Sequence, residues 1–173
     1  FLDYTTEQMR SIEPADAMRH PNWSMGPKIT IDSSTMANKS LEMVEAHWLF
    51  NIEPQKIEVV VHPQSLVHSM VEFIDGSILA QISPPSMTFA IQHILLYPER
   101  AAPVQEPLDF SRSIKFDFQP PDLERFPCLG LGTEALAAGG TAPAVFNAAN
   151  EVAVAAFLES RLAFTAIPKV IAQ

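Results

Sequence analysis

The sequence holds a single cysteine, Cys128, so no internal disulfide framework can form, and this usage suits a reducing compartment. Its setting, Phe126-Pro-Cys-Leu129, is that of a packed thiol rather than a nucleophile. Basic residues are scarce: Lys and Arg number 11 against 20 Asp and Glu, for a net charge of -9. That balance argues against a nucleic-acid backbone as partner and gives each local cation more weight. No apolar run of about 18 residues occurs, which excludes a transmembrane helix. The opening Phe1-Leu-Asp-Tyr-Thr-Thr-Glu7 has no initiator Met, basic n-region or apolar h-region, so the chain is expected to begin inside a longer protein. Also missing are Gly-x-Gly-x-x-Gly, the P-loop, Gly-x-Ser-x-Gly and Cys-x-x-Cys, and with them any nucleotide-binding fingerprint. Internal repeats and low-complexity tracts are absent too. At 173 residues the chain fits one domain or one and a half, enough to bury a real core.

The most informative stretch is Lys28-Ile-Thr-Ile-Asp-Ser-Ser-Thr-Met-Ala-Asn-Lys-Ser-Leu-Glu42. Ile29 and Ile31 alternate with Thr30 and Asp32, which reads as a short strand. Ser33, Ser34 and Thr35 then offer capping hydroxyls before the spacing Leu41, Val44, Trp48 of an amphipathic helix. A strand-to-helix turn favours anions, through free backbone N–H groups and the positive end of the helix dipole. Ser33, Asn38 and Lys39 add side-chain donors, and Glu42, four residues after Asn38, could hold a divalent cation beside a bound phosphate. Spacing alone favours the plainer reading, a capped helix with solvated charges, because capping patterns are common. Just upstream, His20-Pro-Asn-Trp-Ser-Met-Gly-Pro27 cannot form a long regular element, yet it carries Trp23 and Met25. It reads either as a lid that closes over a ligand, with His20 at its base, or as a loop whose large apolar residues pack beneath it.

The rest of the chain supplies a frame. Thr5 to Arg19 predicts two short helical turns broken at Pro14, and Ile57 to Val61 a β-branched strand ending at His62. Met70 to Ile74 and Ser77 to Ile82 flank Asp75-Gly76, predicting a β-hairpin about a two-residue turn. His62 and His68 could approach one another around a turn, although structural hydrogen bonding is the commoner role of such histidines. After the rigid Pro84-Pro85, a helix is expected from Thr88 to Leu96. Residues 98–127 hold Pro98, Pro103, Pro107, Pro120, Pro121 and Pro127, with a strand-like piece at Ile114 to Phe118, and read as a connecting segment. Leu129 to Ala138 and Ala142 to Leu158 are alanine-rich helical patterns separated by Gly139-Gly140, with one more turn at 166–172. The expected fold is α+β: a strand-helix catalytic domain with a hairpin-containing sheet over 1–97, a Pro-rich linker over 98–127, and a truncated helical domain over 128–173.

Four strings carry a resemblance: His20 to Gly26, Lys28 to Glu42, His62-Pro-Gln-Ser-Leu-Val-His-Ser-Met70 and Asn147-Ala-Ala-Asn-Glu151. Together, in order and at compatible spacings across nearly the whole chain, they resemble the 1-deoxy-D-xylulose 5-phosphate reductoisomerase family. The resemblance implies NADPH- and divalent-metal-dependent conversion of 1-deoxy-D-xylulose 5-phosphate to 2-C-methyl-D-erythritol 4-phosphate, in the methylerythritol phosphate route to isoprenoids. The cation would be Mg2+ or Mn2+, with Co2+ possible. By position, His20, Ser33, Asn38, Lys39 and Glu42 would bind substrate, with His20 and Ser33 toward its phosphate. Glu42, Lys39 and His20 would serve catalysis, Glu42 as metal ligand. Trp23 and Met25 correspond to the family's closing loop, Gly26, Pro85 and Met87 to the cofactor side, and His68 to a position near the site.

The resemblance further implies a homodimer acting on a small phosphosugar, with no nucleic-acid or membrane partner. The implied compartment is the bacterial cytoplasm, or the plastid in a plant-type source. Two departures stand out: Ser40 where the family often has glycine, and Ser86 where it often has aspartate. The family's NADPH domain, the Asp and Glu that complete its metal site, and a glycine-rich substrate loop are expected upstream of Phe1. Other readings consistent with the residues are a non-catalytic dimerisation fragment and a different metal-dependent phosphosugar isomerase.

Overall fold

Local signals fix the first elements of the fold. Thr5 caps helix α1 (Thr6–Arg10): its hydroxyl accepts from the Gln8 amide while the Gln8 side chain accepts from the Thr5 N–H. Pro14 opens α2 (Pro14–Ala17) at a position where its missing N–H costs nothing. The computed structural model describes residues 1–19 and 25–173 and shows an α+β protein with eight helices and one two-stranded antiparallel sheet among those residues.

The stretch expected as a strand is helical. Helix α3 (Pro27–Thr35) has Gly26 as N-cap and Pro27 in its first turn, and α4 (Ala37–Phe50) follows after Met36. The period-2 reading of Ile29 and Ile31 fails because the inward face is Thr30, Ile31, Asp32 and Thr35, while Ile29 is 39% exposed. Three of those four buried residues are polar, so hydrophobic periodicity could not reveal the helix; Pro27 after Gly26 was the available signal. Met36 adopts the left-handed conformation at φ 63°, which costs a non-glycine residue about 1–2 kcal/mol. Its N–H donates to the Ser33 carbonyl and its own carbonyl accepts from Lys39 and Ser40, so the turn closes one helix and opens the next.

The structure divides into two compact units, Phe1–Val59 with Pro121–Gln173, and Val60–Pro120. This differs from the sequential division at 97/98 and 127/128. Arg125 provides one physical reason, because its guanidinium donates to the carbonyls of Leu2 and Tyr4 and pairs with Asp122, clipping the proline-rich segment to the chain start. In the first unit α6 (Pro127–Ala138), α7 (Ala142–Leu158) and α8 (Ile167–Ile171) bury Cys128, Phe146, Ala153, Val154, Phe157 and Ile167 with Met9, Ile12, Ile31 and Ala37. A second cluster joins Met43 of α4 to Leu129 and Leu136 of α6. Trp48, expected on the apolar face of α4, is 67% exposed.

In the second unit β1 (Val67–Glu72) pairs with β2 (Ile78–Ile82). The connection is not the expected two-residue turn: Phe73 N–H donates to the Ser77 carbonyl and Gly76 N–H to the Phe73 carbonyl, with Gly76 at φ 80°. That is a three-residue loop whose glycine takes the left-handed position. The strands expected at Ile57 to Val61 and Ile114 to Phe118 reduce to one bridge between Val61 and Gln119. Side chains replace the missing ladder. Gln64 accepts from the Asp117 N–H and donates to its carboxylate, and His62 Nδ1 lies 2.8 Å from the Asp117 carbonyl oxygen. Helix α5 (Met87–Leu96) starts as expected after the double proline.

Helices α4 and α6 meet at Ser40 and Gly132. Ser40 is fully buried and its hydroxyl donates to the Cys128 carbonyl at 3.0 Å. A Cβ at position 132 would collide with the Ser40 Cβ and crowd its Cα at 3.2 Å, so neither helix can yield by moving a flexible tip. Gly132→Ala is therefore expected to destabilise the protein by about 1–3 kcal/mol, lowering Tm by about 2–4 °C per kcal/mol. Adding Ser40→Gly should recover part of the loss. Thermal melts of the single and double variants check this, and an unchanged Tm for Gly132→Ala would contradict the packing.

Candidate active site

The first two turns of α4 bring Asn38, Lys39 and Glu42 together by helical spacing alone. Asn38 Nδ2 donates to Glu42 Oε1 at 2.6 Å, and Lys39 Nζ meets Oε2 at 2.5 Å. Lys39 and Glu42 remain nearly half exposed, so their pairing adds only about 0.2–1 kcal/mol to stability. What it does is hold an amide, an ammonium and a carboxylate in one open cluster at the positive end of a helix.

Where a strand-to-helix turn was expected, the structure has a helix-to-helix turn. The N-terminus lies at the Met36 turn, and Ser33 sits before that turn, on the last part of α3. The neighbouring hydroxyls serve the backbone: Ser34 donates to the Ile31 carbonyl, Thr35 donates to the Asp32 carbonyl, and Thr35 Oγ1 accepts from the Ala37 N–H. Ser33 is half-buried beside them.

The remaining expected site residues divide into three groups. His20 and Trp23 lie outside the described residues. Met25 is half-buried before α3, and Gly26 is exposed, with its carbonyl accepting from both the amide and the hydroxyl of Thr30. Pro85, Met87 and His68 belong to the second unit. Ser86 caps α5 by accepting from the Thr88 N–H, a task aspartate performs equally well, which accounts for serine at this position. Met87 is 58% exposed, and His68 Nε2 lies 3.1 Å from the Ser83 carbonyl oxygen.

Among the described residues no group of three or more His, Cys, Asp or Glu is placed to hold a metal. His62 is engaged elsewhere: its ring stacks on Phe118 and Phe116 with centroids 4.7 and 6.0 Å away, and Nδ1 faces the Asp117 carbonyl. Lys115 and then Gln64 hold the Asp117 carboxyl below its usual range by hydrogen bonding to its charged form. Glu42 thus offers one carboxylate to a cation, and hard divalent ions need several oxygen ligands. The donor chemistry fits magnesium only as part of a larger set. Cys128 is no alternative nucleophile, because burial pushes its thiol up to about 12.

One buried polar group was not singled out from the sequence as a site. Asp32 is 1% exposed; its Oδ2 pairs with Lys28 Nζ at 2.7 Å, and its Oδ1 accepts from Asn150 Nδ2 at 2.8 Å. Lys28 also lies 3.4 Å from Asn147 Oδ1. The legible signal was Asn150 itself, lying in the buried stripe Phe146, Asn150, Ala153, Val154, Phe157 of an otherwise apolar helix face.

Two family models match the sequence of this chain. Residues 82–173 match the DXP reductoisomerase C-terminal domain, and residues 1–50 match the 1-deoxy-D-xylulose 5-phosphate reductoisomerase C-terminal domain. The chain belongs to the 1-deoxy-D-xylulose 5-phosphate reductoisomerase family. It is 58% identical over 163 residues to the Nitrosomonas europaea 1-deoxy-D-xylulose 5-phosphate reductoisomerase, covering 94% of this chain and 40% of that relative. The Aromatoleum aromaticum enzyme is 55% identical over 172 residues, covering 99% and 43%. A crystal structure of DOX-P reductoisomerase in complex with NADPH, fosmidomycin and magnesium superposes with a TM-score of 0.96 at 46% identity, over 99% of this chain and 42% of that one. The Zymomonas mobilis reductoisomerase in complex with NADPH gives 0.90 at 48% identity, over 98% and 44%. The chain therefore spans about two fifths of the length of the curated relatives it matches.

Proposed function

We propose that the full-length protein carrying this chain converts 1-deoxy-D-xylulose 5-phosphate to 2-C-methyl-D-erythritol 4-phosphate, using NADPH and a divalent cation, Mg2+ or Mn2+, in isoprenoid biosynthesis. The observation that carries this is the Asn38, Lys39 and Glu42 cluster at the N-terminus of α4, in a chain of the reductoisomerase family. In this reading the cluster and Ser33 take the substrate's phosphate and hydroxyl oxygens, with His20 toward the phosphate. Ionic and amide donors fix the sugar phosphate in one orientation, which lowers the entropic part of the barrier.

Glu42 would hold the cation together with an aspartate and a glutamate from upstream sequence, exchanging its present donors for the ion. A cation bound there supplies electrostatic stabilisation of oxygens that gain negative charge. Trp23 and Met25 would close over the substrate and exclude water, and Gly26, Pro85 and Met87 would lie toward the nicotinamide. His68 would stand near the site. The cytoplasm is the compartment this reading assigns to a bacterial source.

The same reading makes the protein a homodimer, with the hairpin as the contact surface. Val71, Phe73 and Ile78 are each more than half exposed on it, at 55%, 51% and 58%. Apolar side chains at that density on one hairpin suit burial against a second copy.

Three outcomes follow from these assignments. The full-length protein should oxidise NADPH only with substrate and cation present, whereas the 173-residue chain alone should show no turnover; normal turnover by the chain alone would overturn the division of the site. In the full-length protein Glu42→Gln, which keeps shape but removes charge, should lower kcat/KM by about 10²-fold or more and weaken cation dependence. An unchanged cation titration in initial rates would remove Glu42 from the ligand set. Replacing Phe73 and Ile78 with Asp should halve the mass seen by sedimentation, and an unaltered mass would exclude the hairpin interface.

A further inference from the structure

The Asp32 and Asn150 pair makes little sense as a stabilising device. Both side chains are essentially inaccessible, at 1% and 0% exposure, in the packing between α3 and α7. Among the described residues Asn150 Oδ1 is buried without a hydrogen-bond partner, which leaves the amide half satisfied there. A buried carboxylate with its donors rarely outperforms well-packed apolar residues of similar volume, and an unsatisfied amide oxygen adds a further cost. An apolar pair would therefore hold these helices together at least as well. It would not fix their rotation, because apolar contacts tolerate small rotations that a charged hydrogen bond does not.

The pair sits where rotation matters. Asp32 immediately precedes Ser33, and α3 runs directly into the Met36 turn from which Asn38, Lys39 and Glu42 project. Each carboxylate oxygen has a separate donor: Oδ1 takes Asn150 from across the interface, and Oδ2 takes Lys28 one turn earlier on the same helix. Lys28 is in turn near Asn147, so α3 is tied to two successive turns of α7. Together these bonds set both the rotation and the axial register of α3.

Resting on the reductoisomerase reading, we propose that Asp32 and Asn150 are positioning residues that hold α3 so that Ser33 and the start of α4 face the substrate's phosphate group in register. Neither touches substrate. Misplacing a substrate-orienting group by about 1 Å can cost on the order of 10²-fold in catalytic efficiency, so a small loss of register is measurable, here as a raised KM.

The test uses the full-length protein with Asp32→Asn, Asn150→Asp, and the exchange of the two, Asp32→Asn with Asn150→Asp. Asp32→Asn removes the charge that holds Lys28, and Asn150→Asp sets two carboxylates face to face. Each single variant should raise KM for 1-deoxy-D-xylulose 5-phosphate at least tenfold, with kcat per folded molecule within threefold and KM for NADPH unchanged. The exchange restores one carboxylate and one amide across the interface and keeps a charge near Lys28, so it should recover most of the KM. If the single variants keep a wild-type KM once corrected for folded fraction, the pair is structural only and the inference fails. Should the singles not fold, the exchange variant decides: a folded exchange protein with unrecovered KM overturns it. A wild-type protein with no turnover on this substrate overturns the reductoisomerase reading itself, a result distinct from an active wild type whose variants behave normally.

Discussion

A carboxylate taken out of water must be answered by donors in fixed places, and in this chain that requirement falls on Asp32. Its two oxygens recruit Asn150 from α7 and Lys28 from its own helix, so one buried group sets the relation between the two helices. The polar residues that flank it along α3, Thr30 and Thr35, are buried for a related reason: their hydroxyls return to backbone carbonyls within the helix. The result is a helix whose inward face is mainly polar and whose end leads into the turn that carries the candidate site.

Packing around that turn is correspondingly tight. Met36 holds a left-handed conformation that a non-glycine residue adopts only when its surroundings insist on it, and Ala37 beside it is fully buried. One helical turn further on, Ser40 presses against Gly132, where no side chain could fit. Sites that act on small charged molecules need this rigidity, because the donors must already be in place when the ligand arrives.

Much of the fold was legible from residues alone. Pro14, the Pro84-Pro85 break, the Asp75-Gly76 hairpin and the Gly139-Gly140 break each carry a local backbone requirement, and each marks a real boundary. The strand assigned to Lys28 through Asp32 failed where propensity and periodicity are weakest, on a helix whose buried positions are not hydrophobic. The expected strands at 57–61 and 114–118 failed differently: their β-branched and aromatic residues are real, but His62 and Gln64 side chains take over the bonding a ladder would have made. For the candidate site, helical spacing made Asn38, Lys39 and Glu42 neighbours on any reading. The tie through Asn150 spans more than a hundred positions and could only be glimpsed as one amide in an apolar stripe.

The interleaving of the two units bears on how the polypeptide comes to be assembled. Residues 1–59 share a core with residues 121–173, and the intervening unit must be synthesised between them. At about 5–20 residues per second, the ribosome needs on the order of ten seconds after α3 and α4 emerge before α7 can reach Asp32. Through that interval Ile31, Ala37 and a bare carboxylate stay without their partners, while the hairpin, whose contacts are local, can close at once. Nascent-chain vulnerability is thus concentrated in the segment that bears the catalytic candidates.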